Sequence, residues 1–145
     1  METSNTIYPA NSGTSLSSGR NTLGTIEISD GDRVNITGNG ATGAGFQAGR
    51  EVGPYGTIAF TGTGSELNLT GADAFVRIGG QAKGVLDVLA GGKVSVFGRD
   101  NVNRFDIGQS AGGDRPVTVN GTNSPISLSG FQASTCDSTF LIVGR

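Results

Sequence analysis

Apolar residues in this chain fall on alternate positions, in short runs that return about every 30 residues. Three kinds of run follow one another in fixed order. The first kind closes on glycine: LSSG to Gly19, FQAG to Gly49, VRIG to Gly79, FDIG to Gly108 and LIVG to Gly144, at spacings of 30, 30, 29 and 36 residues. The second reads TIEIS from Thr25, TIAFT from Thr57, VLDVL from Val85 and PVTVN from Pro116. The third reads VNITG from Val34, LNLTG from Leu67, VSVFG from Val94 and ISLSG from Ile126. A period of two marks a strand with one buried face. No window carries a 3.6-residue apolar stripe, so helix is expected to be absent.

Recurrence in phase predicts stacking. If each strand lies parallel on its counterpart one repeat earlier, like residues meet. Ile26, Ile58, Leu86 and Val117 then form one inward ladder, and Val34, Leu67, Val94 and Ile126 another. Branched side chains pack well in such ladders. The pattern predicts an all-β fold, a single-stranded right-handed parallel β-helix of about five coils of roughly 30 residues. Each coil carries three strands. Residues 1–15 form a polar N-terminal segment that could drape over one end, and 16–145 form the solenoid; Thr6-Ile7-Tyr8 is a candidate partial strand. An antiparallel sandwich or a propeller is the competing fold, since short strands at close spacing suit those too.

Turn residues fit the coil. Asp30-Gly31-Asp32, Gly62-Thr63-Gly64, Ala90-Gly91-Gly92 and Gly121-Thr122-Asn123 separate the second run from the third. Glycine supplies positive φ at little steric cost, which accounts for 26 glycines in 145 residues. Connections from the third run to the next first run vary most in length. One of them carries Arg99, Asp100 and Arg104, a candidate binding loop whose plain alternative is a solvated turn.

Composition narrows the picture. Only 34% of residues are apolar, a stock that suits a narrow core. Net charge is -2 and no basic block occurs, which argues against nucleic acid as a partner. No apolar stretch is long enough to span a membrane, and residues 1–20 lack the pattern of a signal peptide. A lone cysteine, Cys136, excludes an internal disulfide and thiolate zinc sites. The absence of histidine removes imidazole triads. No cofactor or metal is expected.

The run GTIAFTGTGSELNLTGADAFVRIGGQAKGVLDVLAGGKVSVFG, from Gly56 to Gly98, resembles the autotransporter/PEP-CTERM-associated repeat. The likeness is looser on either side and departs at Thr135–Gly144. It implies a passenger-like β-helix of a bacterial surface or secreted protein. No catalytic residue travels with that repeat.

Candidate chemistry is sparse. Glu27 and Asp87 share an outward position two coils apart, roughly 10 Å at the strand spacing. That is near an inverting-hydrolase separation, although solvated decoration is the plainer reading. Arg77 and Asp106 should lie side by side as an exposed ion pair, worth at most about 1 kcal/mol. Asp30 and Asp32 suit a turn better than a calcium corner. Asn35, Asn68 and Asn120 match glycosylation sequons that arise by chance in such a composition.

The solenoid's ends are the most informative feature, because a bare strand edge invites pairing. Phe140, Leu141, Ile142 and Val143 form a candidate interface. Ile142 takes the outward position held by Ser17, Gln47, Arg77 and Asp106 in other coils. The expected partners are other copies of the chain or adjoining coils of a longer one, with a surface carbohydrate or protein next. A non-catalytic structural or adhesive module, extracellular or at the bacterial cell surface, is the leading function. A polysaccharide lyase or hydrolase and a trimeric phage fibre segment are the alternatives.

Overall fold

The structure, a computed structural model, describes residues 5–9, 15–19, 23–38, 44–49, 55–71, 74–99, 103–108, 116–131 and 139–143. Its first sheet joins β1 (Asn5–Pro9), β4 (Arg33–Thr37), β7 (Glu66–Gly71), β10 (Lys93–Arg99) and β13 (Ile126–Phe131) in that order. A second joins β2 (Ser15–Ser18), β5 (Gly45–Ala48), β8 (Phe75–Ile78), β11 (Asn103–Ile107) and β14 (Thr139–Val143). The third joins β3 (Gly24–Ile28), β6 (Gly56–Thr61), β9 (Gly84–Leu89) and β12 (Val117–Asn120). These pairings are parallel, and neighbours within a sheet come from successive repeats. The described residues contain no helix. The arrangement is solenoid-like, with three strands per repeat.

Register follows the sequence pattern residue for residue. Ile26 pairs with Ile58, Ile58 with Leu86 and Leu86 with Val117. Likewise Val34 pairs with Leu67, and Leu67 with Val94. A slip of one residue would turn every apolar side chain outward, so burial holds this register. One core unites the three sheets: Phe46 and Val76, Ile58 and Leu86, and Leu67 and Leu69 are all fully buried. The Phe46 and Phe60 rings, from the second and third sheets, meet with centroids 5.7 Å apart.

Glycine closes the first run for a geometric reason. Gly19, Gly49, Gly79 and Gly108 have φ of 68°, 65°, 70° and 76°, the left-handed region. At Gly49 a β-carbon would also stand 2.4 Å from the carbonyl oxygen of Lys83. Thr6, Ile7 and Tyr8 belong to a full strand, β1, which extends the first sheet by pairing with β4.

Candidate functional site

The outer face of the first sheet is built of side-chain ladders. Asn68 Nδ2 donates to Asn35 Oδ1 at 3.0 Å, and the Thr37 and Thr70 hydroxyls lie 3.1 Å apart. Arg33 Nε pairs with Glu66 Oε2 at 3.2 Å. Ser95 and Ser127 continue the asparagine row, and Phe97 and Ser129 continue the threonine row. The result is a polar face of amides and hydroxyls with one part-exposed aromatic ring, Phe97. Asn35 and Asn68, both within sequons, are bonded to each other here.

The corner between the third and first sheets has a period of two repeats. Short turns at Asp30-Gly31 and Ala90-Gly91 place both central residues at positive φ. Each is closed by an amide, Asp32 N to Ser29 O and Gly92 N to Leu89 O, the pattern of a type I′ turn. Longer turns alternate with them: Gly62-Thr63-Gly64-Ser65 and Gly121-Thr122-Asn123-Ser124. In each long turn the serine hydroxyl donates backward, Ser65 Oγ to Thr61 O at 2.7 Å and Ser124 Oγ to Asn120 O at 3.4 Å. The same oxygens accept the short-turn amides of the preceding repeat, Gly31 at 3.1 Å and Gly91 at 2.8 Å. Where the short turn at Gly91 sits between the long turns, a notch of about 510 Å³ opens. Thr63, Gly91, Lys93, Asn123, Ser124 and Pro125 line it. The recurrence of Gly-Thr-Gly/Asn-Ser at 62–65 and 121–124 was the sequence signal for this device.

Burial on the second sheet differs from expectation. Arg77 and Asp106 do lie side by side, with Arg77 Nη2 3.7 Å from Asp106 Oδ2. They are not exposed: the side chains retain 19% and 6% of their accessible surface. Gln47, in the same outward row, is 3% exposed, and its Oε1 has no hydrogen-bond partner among the described residues. The Arg77 guanidinium also lies 5.2 Å from the centroid of the Phe75 ring. An ion pair so enclosed depends far more on both partners than a surface pair does.

The other candidate residues are placed as follows. Arg99 ends β10 opposite Phe131, and Arg104 lies half-buried within β11, aligned between Phe75 and Phe140. Strand thus reaches into both ends of the expected loop, and Asp100 lies outside the described residues. Phe140, Leu141, Ile142 and Val143 form the body of β14, where Ile142 aligns with Asp106. Glu27 and Asp87 occupy one row with Ala59 between them. Cys136 lies outside the described residues. Among the described residues no three acidic or thiol groups gather as they would around a metal ion. No helix among them is long and apolar enough to cross a membrane.

The apolar ladders thin toward β12. Val88 is fully buried, whereas Val119, its partner on β12, is 49% exposed. Val117, Ile126 and Leu128 are only partly covered. No family model, curated protein or solved structure matches the chain.

Proposed function

We propose that the three sheets close into a right-handed parallel β-helix serving as a non-catalytic structural or adhesive module. Right-handed crossover is the rule for parallel strands joined within one sheet, which supports the handedness. The reading draws on the first sheet's outer face, where polar groups are spent on one another in ladders. Such a face stiffens a rod and offers a polar surface. The likeness of Gly56–Gly98 to the autotransporter-associated repeat extends the proposal to a bacterial surface or extracellular setting.

The module works by joining its ends to further coils, those of another copy or of an adjoining segment. Exposed Val119 on the edge strand β12 is the observation that carries this part. Among the described residues β12 ends the third sheet, as β13 and β14 end the first and second.

Light scattering coupled to size-exclusion chromatography, with electron micrographs of the eluted peak, tests the assembly. Oligomers or filaments are expected. A clean monomer over a wide concentration range rejects self-association.

A further inference from the structure

The corner notch repeats an arrangement found two repeats earlier, with one group missing. On β4 and β7, Arg33 stands beside Glu66 and the two form an ion pair. The corresponding positions on β10 and β13 are Lys93 and Pro125, one residue before the Val94–Ile126 pair. Proline has no carboxylate to offer. Glu66, on Lys93's other side, is already engaged by Arg33 at 3.2 Å. The row Arg33, Glu66, Lys93 therefore holds two cations and one anion, and its surplus positive charge lies at the notch.

We propose that this notch binds the carboxylate of a uronic-acid-bearing saccharide, with Lys93 as its counter-ion and Thr63 and Asn123 bonding its hydroxyl groups. The volume, about 510 Å³, lies in the range of small-molecule sites. Two amides of the lining are committed, Gly91 N to Ser124 Oγ and Lys93 N to Ser65 O. The side chains of Lys93, Asn123 and Thr63 bring one ammonium, one amide and one hydroxyl to the notch, a set suited to a singly charged, hydroxyl-rich ligand. The site does not rest on end-to-end assembly, so the two proposals fail separately.

Amide-resolved NMR titration of the full chain with digalacturonic acid tests it. Its uncharged dimethyl ester and tetraglutamate serve as the comparison ligands. Shifts are expected at Thr63, Gly91, Lys93 and Asn123. Lys93→Gln should weaken binding about tenfold, the effect of losing one charge-assisted bond. Pro125→Glu supplies the missing carboxylate within the chain and should abolish binding, whereas Pro125→Ala should retain it. Lys93 and Pro125 are exposed, and the dispersion of the remaining amide signals verifies that each variant is folded. The proposal is overturned by equal binding of the ester, by tighter binding of tetraglutamate, by a Lys93→Gln variant that binds normally, or by no shift at the notch.

Discussion

The Gly31 amide donates to the Ser65 hydroxyl at 3.1 Å, from one repeat into the next. Ser65 is fully buried, and its oxygen also donates to Thr61 O. Gly91 and Ser124 reproduce the arrangement further along the chain. Each serine binds its own turn and joins two repeats. Ser65→Ala strands a turn amide and a carbonyl, so it should cost about 1–3 kcal/mol. Ser124→Ala should cost less, since its bond to Asn120 O is longer, 3.4 Å against 2.7 Å. Urea unfolding followed by circular dichroism measures both. Equal, negligible losses would show that the serines do not join the repeats.

Ala90 carries φ of 50° in the short turn where the matching repeat uses Asp30. A left-handed conformation costs an alanine roughly 1–2 kcal/mol, while asparagine tolerates it and favours type I′ turns. Ala90 is exposed, so substitution disturbs no packing. Ala90→Asn should stabilise the fold by about 1 kcal/mol. The readout is a higher midpoint of thermal unfolding. A lowered midpoint would mean that the turn has a different conformation.

Much of the fold was legible because alternation and recurrence coincide. The positions of Ile58, Leu86, Leu67 and Leu69 within their runs fix both the buried face and the register. Glycine at 19, 49, 79 and 108 marked the end of each first run, since positive φ leaves a strong composition signal. The site was less legible. The two-repeat period at the corner depends on whether a turn contains Asp-Gly or Gly-Thr-Gly-Ser, a difference hidden beneath the common 30-residue period. Burial of Gln47 and Asp106 was hidden for another reason. Their outward placement follows from alternation, but alternation carries no information about what lies over a face.

That covering makes the Arg77–Asp106 pair a sensitive point. Asp106→Ala leaves a guanidinium enclosed without its carboxylate, at a cost on the order of 3 kcal/mol. Replacing both, with Arg77→Met and Asp106→Leu, removes the uncompensated charge and should recover most of that loss. Denaturant titration of the single and double variants measures the coupling between them. A single-variant cost below about 1 kcal/mol would assign the pair the strength of a surface contact.

Val88 and Val119 are neighbours in one ladder, yet the first is fully buried and the second 49% exposed. Identical side chains at matched positions thus separate core packing from what the outer edge does. Val88→Ala should cost about 1–3 kcal/mol, through lost burial and the cavity left behind. Val119→Lys should change the unfolding midpoint little, since its side chain already meets water. The lysine should nevertheless prevent another strand from docking on β12, because a charge on an edge strand opposes pairing. Light scattering of the Val119→Lys variant is therefore expected to report a smaller assembly than the parent chain, with unchanged circular dichroism. Unaltered assembly would remove β12 from the joint and leave β13 and β14 as the strands that carry it.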